Sequence, residues 1–245
     1  MSERYFVESP ITTDRAVLAG AEAHHLIHVM RLKPGARVTL FDGSGSQFAA
    51  AVERVGRAEV ELAILSQTQI DRELPLPVWL GVALPKGDRQ KWLVEKAVEL
   101  GVSRLLPLET ARGVAQPMQQ ALERLRRTVI EASKQCGRNR LMEIALPQRW
   151  EQFVHAADGM SRRLLAHPHG IQHTECAVAG GPRSVPDALK SGGVALAVGP
   201  EGGFTDDEVV VAQAAGWTPV ALGPRILRVE TAALALVARV TRGND

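Results

Sequence analysis

The sequence predicts a two-domain α/β protein, with a small β-barrel over residues 1–72 and a larger parallel-sheet domain over residues 73–245. Hydrophobic residues make up 45% of the chain and charged residues 23%, a balance that is typical of globular proteins and excludes a mainly disordered chain. The first third contains short β-type segments between turns. After a linker with two prolines at 71–77, strands alternate with helices, which is the pattern of a parallel α/β sheet.

Three strands and one short helix are predicted in the N-terminal domain. The strands lie at 37–41, 48–52 and 60–65, between turn residues such as Pro34, Gly35 and Gly43. The helix is predicted at 21–30. Segments this short, with turns between them, favour a small barrel.

Six strands and four helices are predicted in the larger domain. The strands lie at 78–84, 104–108, 144–146, 163–167, 194–198 and 217–222, and the helices at 88–100, 117–136, 206–215 and 231–242. The helix ends carry capping residues: Asp88 as N-cap, Thr205 with Glu208 as a capping box, and Gly101, Gly137 and Gly216 after the last turns. The last helix is apolar on nearly all sides at 232–238, so we expect a partner subunit to cover part of it.

Cysteine, histidine and hydropathy patterns exclude several classes of protein. Cys136 and Cys176 are too few for a disulfide framework, and Cys136 lies on an apolar helical stripe that predicts a core position. His24, His25 and His28 lack the further ligands that a zinc site needs, so we expect no metal. No apolar run approaches the roughly 20 residues of a membrane span, and no secretory signal is visible; we therefore expect a cytoplasmic protein.

A glycine-rich turn, Gly-Pro-Glu-Gly-Gly-Phe-Thr at 199–205, joins the strand at 194–198 to a helix. At such a turn a ligand can approach backbone N–H groups at the helix N-terminus. The glycine spacing does not match the dinucleotide fingerprint, and no lysine stands where a phosphate loop needs one. Because Glu201 also adds negative charge, the turn favours a ligand with hydroxyl groups or positive charge over a phosphate.

A second turn follows the next strand and carries Arg225, Arg228 and Glu230 just before the last helix. Open α/β sheets bind ligands at the carboxyl edge of their strands, so the two turns should lie side by side there. Glu230 has two interpretations at this point: it stabilises the positive end of the last helix, or it belongs to a ligand site.

The two turns resemble the cofactor-binding end of SPOUT methyltransferases and, within that class, the ribosomal RNA small subunit methyltransferase E family. The resemblance is carried by GPEGGF at 199–204 and LGPRILRVETA at 222–232, with further blocks at EKAVELGV (95–102), Arg112 and QCGRNR (135–140). HHLIHVMRLKPG (24–35) and LFDGSG (40–45) resemble the RNA-binding barrel of that family. The resemblance covers nearly the full chain, and the order of the two glycine motifs near its end is highly specific.

The resemblance implies a PUA-like barrel joined to a trefoil-knotted α/β domain that binds S-adenosylmethionine (SAM) and forms a homodimer. It implies methylation of N3 of a specific uridine in the 16S rRNA of the 30S subunit, without a metal. The implied SAM contacts are His167, Gly199, Pro200, Glu201, Gly202, Gly203, Leu222, Gly223, Ile226, Leu227 and Arg228. Ile226 and Leu227 are expected to hold the adenine. His167 also has a purely structural interpretation.

Catalytic roles are expected for Arg228 and Glu230. Arg228 is predicted to orient the uracil or stabilise its anion, because a guanidinium offers donors and cannot act as a base near neutral pH. Glu230 is predicted to position Arg228 or to accept the N3 proton. The alternative is that this pair only ties the loop together.

The residues predicted to contact RNA are His25, Arg31, Lys33, Arg112, Arg124, Arg127, Arg138 and Arg140. The segment 121–140 carries six basic and two acidic residues, which suits a polyanion, although a solvated helix face has the same pattern. Ala111, Lys134, Met142 and Val229 depart from the family pattern, where an acid, a glutamate, a proline and a threonine are common. Two other functions stay open: a non-catalytic RNA-binding protein that keeps the scaffold, and a nucleotide-dependent α/β enzyme, which the failed fingerprints disfavour.

Overall fold

The computed structural model describes residues 3–113, 119–171 and 192–241. Cys176, the start of the helix predicted from 117 and the predicted end of the last helix at 242 lie outside these ranges. Internal contacts divide the chain into unit 1, Met1–Glu73 with Ile130–Leu141, and unit 2, Leu74–Val129 with Met142–Asp245. The segment 130–141 therefore packs with the N-terminal residues, which the sequence pattern does not predict.

Unit 1 is built on a curled five-stranded sheet. Its strands are β1 (Arg4–Phe6), β2 (Arg15–Leu18), β3 (Arg37–Phe41), β4 (Ser46–Val55) and β5 (Val60–Gln69), in the order β1-β3-β4-β5-β2. β1 and β3 are parallel, and the other neighbours are antiparallel. The register between β4 and β5 shifts twice, and such bulges bend a strand and increase its twist. Leu40, Phe48 and Leu62 are almost fully buried in the core that the curled sheet encloses.

The helix predicted at 21–30 consists of two different segments. α1 (Gly20–His24) continues into a π-helical turn (His25–Val29), and the Met30 N–H donates to the His25 carbonyl at 3.0 Å. Arg31 follows with a φ of 53°, a left-handed conformation that side chains other than glycine rarely adopt. π-helical turns are rare and often occur at functional sites, so this end of unit 1 combines two unusual backbone features.

Polar contacts hold the segment 130–141 within unit 1. It contains the end of α3 (Gln119–Cys136) and the residues after it. Asn139 accepts a hydrogen bond from Arg4 at 2.8 Å and donates to the Ile70 carbonyl at 3.0 Å. Arg138 is buried, and its Nε donates to a Glu73 carboxylate oxygen at 3.0 Å. Because both partners of that pair are largely withdrawn from water, removing either would leave a buried charge uncompensated.

Unit 2 contains a seven-stranded sheet in which the paired strands are parallel. The strands are β6 (Val78–Val82), β7 (Arg104–Glu109), β8 (Glu143–Ile144), β9 (Gln148–Arg149), β10 (Arg162–Ile171), β11 (Val194–Val198) and β12 (Thr218–Val220). Their order is β12-β10-β11-β6-β7-β8, and β9 pairs with β7. The α/β fold class with a parallel sheet, preceded by a curled β domain, is thereby confirmed.

Four further helices complete unit 2: α2 (Asp88–Glu99), α4 (Trp150–Ala156), α5 (Asp206–Ala214) and α6 (Val229–Thr241). An aromatic cluster of Trp150, Phe153, Phe204 and Trp217 fills the space between α4, α5 and the sheet. The sequence pattern misses β9 and α4, because two residues and seven residues are too short to show a period. The N-cap of α2 is Gly87 rather than Asp88, which is already helical.

No helix in the described ranges combines the length and the apolar character that a membrane crossing demands.

Replacing Thr205 by Ala is expected to destabilise the protein by about 1 kcal/mol, because the capping box of α5 is formed as predicted. The Thr205 hydroxyl accepts a hydrogen bond from the Glu208 N–H at 3.2 Å, and the Glu208 carboxylate accepts from the Thr205 N–H at 2.8 Å. Thermal unfolding followed by circular dichroism should show a Tm lower by roughly 2–4 °C. Thr12→Ala, at an exposed position outside any helix or strand, is the control. Equal Tm values for the two variants would contradict a capping role.

Candidate functional site

Several chain segments meet at the carboxyl edge of the parallel sheet in unit 2. Val198, the last residue of β11, pairs with Val82 of β6 and with Ala166 of β10, which in turn pairs with Val220 of β12. Both glycine turns therefore leave the same edge, as the sequence predicts. They are not neighbours, because β10 lies between β11 and β12. His167 directly follows Ala166, so this half-buried histidine lies between the two turns.

The first glycine turn is tight, and its glycines are required by the geometry. The Gly203 N–H donates to the Pro200 carbonyl at 2.8 Å, and Gly203 has a φ of 68°. A Cβ on Gly199 would lie 3.1 Å from the backbone nitrogen of Phe204, closer than packing comfortably allows. The Arg112 guanidinium donates to the Gly202 carbonyl at 2.7 Å and fixes the outer side of the turn. Glycines thus give this turn both its shape and an accessible backbone.

The second turn offers an open backbone beside an exposed apolar side chain. Gly223 has a φ of 113°, and a Cβ at this position would meet nothing within 4 Å. Ile226 is 94% exposed, which is unusual for an isoleucine, whereas Leu222 and Leu227 are half-buried. Open backbone on one side and apolar surface on the other fit a ligand that has a flat ring and polar edges, such as the adenosine of SAM.

Glu230 lies in the first turn of α6, and only 8% of its side chain is exposed. Its Oε2 atom has no hydrogen-bond partner among the residues that the structure describes. The nearest cation is Arg89 of α2, with 3.7 Å between Arg89 Nη1 and Glu230 Oε2. Arg89 Nη2 also lies 3.5 Å from Glu201 Oε1. Arg89 therefore links the acids of the two glycine turns, whereas the predicted pairing of Glu230 with Arg228, which is exposed, is absent from the described contacts.

Arg89 is the residue that sequence reasoning misses. It belongs to α2, which begins six residues after β6, and the pairing of β6 with β11 brings that helix start to the first glycine turn. A signal was available: the strand ending at Val82 had to share the carboxyl edge with the other strands of a parallel sheet. A charged residue in the first turn of the following helix is then a candidate for the site.

A cleft of about 240 Å³ opens beside the first glycine turn. Its wall combines the segment that joins β6 to α2 with Leu108 at the end of β7 and with Pro200 and Glu201 of the turn. Lys86 and Arg89 contribute positive charge, and Ala83 and Leu84 are buried beneath them.

Of the residues predicted to contact RNA, His25, Arg31, Lys33 and Arg140 are exposed on unit 1. Arg138 is not, because only 4% of its side chain is accessible and Glu73 pairs with it. This burial corrects the prediction for Arg138, whose guanidinium holds unit 1 together instead of facing a phosphate. In unit 2, Arg124 and Arg127 are exposed on α3, and Arg112 is exposed while it supports the first glycine turn.

Within residues 3–113, 119–171 and 192–241, no three His, Cys, Asp or Glu side chains gather in a way that could hold a metal ion. The His24 and His28 rings face each other, with centroids 4.6 Å apart, on the predicted helical face. Cys136 is only partly buried and has a free thiol.

Family models match both parts of the chain. A model described as an RNA methyltransferase domain matches residues 72–241, and one described as an RNA methyltransferase PUA domain matches residues 18–65. The fold, the two glycine turns and these matches define an RNA methyltransferase with a PUA domain. More specifically, the chain belongs to the ribosomal RNA small subunit methyltransferase E family.

Relatives and solved structures agree with this assignment. The Synechocystis protein of the family name is 35% identical over 91% of this chain and 71% of its own length, and the Bacillus subtilis one 28% identical over 95% and 93%. The Neisseria gonorrhoeae ribosomal RNA small subunit methyltransferase E, solved with SAM bound, has a TM-score of 0.82 at 30% identity and covers 97% of this chain and 96% of its own. A Legionella pneumophila protein in complex with SAM has a TM-score of 0.87 at 31% identity, covering 99% and 98%.

Proposed function

We propose that this protein is a SAM-dependent methyltransferase that modifies N3 of a specific uridine in the 16S rRNA of the 30S subunit. The observation that carries the proposal is the meeting of the two glycine turns at one sheet edge, in a chain of this methyltransferase family. SAM dependence and ribosomal RNA as the substrate follow from the family. The choice of uracil N3 as the acceptor rests on the resemblance of the sequence motifs.

The two turns are suited to hold SAM between them. The backbone of Gly199, Gly202 and Gly203 can approach the ligand closely, and Leu222, Gly223 and Leu227 form the facing turn, with Ile226 as an apolar cover for the adenine. When bound, SAM supplies a methyl group whose bond to uracil N3 forms as its bond to sulfur breaks, with the electron pair staying on the sulfur of the departing S-adenosylhomocysteine. Positioning the donor methyl group against N3 therefore does most of the catalytic work.

The N3 proton must also leave, and the charged groups of the site bear on this step. Arg228 is exposed at the end of the second turn, where a guanidinium can reach a base from outside and stabilise its anion. Glu230 has an unsatisfied carboxylate oxygen behind it, so it can accept the proton directly or through a water molecule.

RNA contacts are proposed at exposed basic residues of each unit. In unit 1 these are Arg31, Lys33 and Arg140, with His25 beside them in the π-helical turn. The left-handed backbone of Arg31 supports a functional role, because strained residues concentrate at binding sites. In unit 2 they are Arg112, Arg124 and Arg127. Each phosphate that these residues neutralise should steepen the salt dependence of binding.

We also propose that the protein acts in the cytoplasm as a homodimer through unit 2. The apolar helix α6 supports this, because its buried residues pack on the protein's own sheet and on α2 while Ala235 stays exposed and Leu234 only half-buried. A second copy of the helix surface would cover that remaining apolar side.

Purified protein with SAM labelled in its methyl group should transfer label to 30S subunits and leave 30S subunits that already carry the modification unlabelled. Nuclease digestion and mass spectrometry should then identify 3-methyluridine, because N3 is the acceptor in this proposal. SAM binding measured by calorimetry separates failure of cofactor binding from failure of the substrate. Binding of SAM together with binding of 30S subunits, but without any label transfer, would instead identify a non-catalytic RNA-binding protein.

A further inference from the structure

We infer that the cleft beside the first glycine turn is the acceptor subsite that takes the target base, and that Arg89 is the side chain that binds a uracil carbonyl there. This inference rests on the proposed function, since it assigns the substrate side of the same site. It adds a residue that neither the glycine motifs nor the resemblance singles out.

The size of the cleft is the first argument. Its volume of about 240 Å³ falls below the roughly 300–1,000 Å³ of pockets that enclose a drug-sized ligand. SAM is a ligand of that larger class, and the open second turn at Gly223 and Ile226 does not line this cleft. The cleft therefore fits a single flat ring better than a whole cofactor. N3 lies on the Watson–Crick edge, so the target base must be unpaired, and enzymes of this kind hold such a base in its own pocket.

The composition of the walls is the second argument. Leu84, Pro85, Leu108 and Pro200 give apolar surface on which a ring can lie, and Gly113 adds no side chain at the rim. Glu201 adds a negative charge to the same wall, which opposes a phosphate deep in the cleft but not a neutral base. Lys86 is exposed at the rim, where it can meet the phosphate that accompanies the base in RNA.

The state of the Arg89 guanidinium is the third argument. Its contacts with Glu201 and Glu230 are 3.5 and 3.7 Å, longer than the 2.7–2.9 Å that is typical of charge-assisted hydrogen bonds. No other partner is seen for Arg89 in the part of the chain that the structure describes. A guanidinium has five N–H donors, so most remain available to a ligand. The two carboxylates thus hold the charge at the wall of the cleft without consuming its donors.

These features assign a role to Arg89 toward uracil. Its donors bind a carbonyl oxygen next to N3, and they do so more strongly once N3 loses its proton and negative charge spreads onto the carbonyls. Such a donor stabilises the reacting form more than the resting base, which is the condition for a catalytic contribution. Glu201 and Glu230 position the guanidinium from behind.

Arg89→Gln should lower the single-turnover rate of methylation of 30S subunits by about 100- to 1,000-fold, as expected when one such donor is removed. Affinity for SAM should stay within about threefold, because the donors face the acceptor side. Lys91→Gln removes one positive charge from the exposed face of the same helix, and we expect this control to match the wild type. Arg89→Lys keeps the charge but loses the forked geometry, and it should fall between the two.

Reconstituted 30S subunits carrying 2-thiouridine or 4-thiouridine at the target position give the decisive measurement. Sulfur is a weak acceptor, so one of these bases should slow the wild type by about tenfold, and the same base should have little further effect in Arg89→Gln. Because the intrinsic acidity change of the thio base is common to both proteins, it cancels in the comparison. Equal thio effects in wild type and variant, an unchanged rate in Arg89→Gln, or loss of SAM binding in that variant would each overturn the assignment. Wild-type protein that transfers no methyl group to unmodified 30S subunits would overturn the proposed function itself.

Discussion

A protein with Gly202 replaced by valine is expected to bind SAM at least about 100-fold more weakly, a loss of about 2.8 kcal/mol, while keeping its fold. Gly202 is exposed, and a Cβ there would lie 3.3 Å from the Arg112 Cδ atom. The two branches of valine must therefore displace Arg112, whose hydrogen bond to the Gly202 carbonyl fixes the turn, or point into the space that the ligand needs. Either outcome removes the close approach of backbone to ligand on which this site depends.

Calorimetric titration with SAM measures the effect, and circular dichroism checks the fold. Gly159→Val is the matched control, because Gly159 is exposed in the same unit, its φ is not positive, and nothing lies within 4 Å of its Cβ position. The control should bind SAM as the wild type does. A folded Gly202→Val protein with unchanged SAM affinity would refute the placement of SAM at this turn.

Arg228→Ala and Glu230→Gln should each reduce single-turnover methyl transfer at saturating SAM and RNA by about 100-fold or more, which is the usual contribution of a positioned donor or base. Arg228→Ala removes an exposed guanidinium at the mouth of the site. Glu230→Gln keeps the shape of a buried side chain but removes the charge that lies 3.7 Å from Arg89. Because the two residues act on the acceptor, SAM affinity should change by no more than a few fold.

Single-turnover rates and SAM titrations on the same preparations distinguish catalysis from structure for these two residues. Arg225→Ala, on the same turn and equally exposed, serves as the control for loss of a surface charge. Variants that unfold or lose SAM, with no separate defect in methyl transfer, would show that Arg228 and Glu230 only tie the second turn to α6.

The glycine turns could be predicted from the sequence because their chemistry is local. Gly199 and Gly203 are required by contacts and dihedral angles within six residues, so the motif and its geometry are one and the same. Thr205 and Glu208 cap α5 for the same reason. Such features depend on neighbours in the chain, which a single sequence displays.

Arg89 and Arg138 could not be predicted, because their partners are distant in sequence. Arg89 reaches Glu201 and Glu230 only after β6 pairs with β11, and the strand order that achieves this is not written in any one segment. Arg138 looks like one more member of a basic run, yet Glu73, 65 residues earlier, withdraws it from solvent. The sequence displays the charge of such residues but not the partner that determines their role.

The division of unit 1 into two chain segments has a consequence for how the protein is made. Arg4 donates to Asn139 across a separation of 135 residues, so this unit cannot close while only its N-terminal strands have left the ribosome. Contacts between segments so far apart close a long loop, and they form late because the loop entropy must first be overcome. Most of the sheet in unit 1 can pair early, but its final contacts await the synthesis of the first half of unit 2. The RNA-facing residues on the two segments, Lys33 and Arg140 among them, therefore come together only after the chain has passed residue 141.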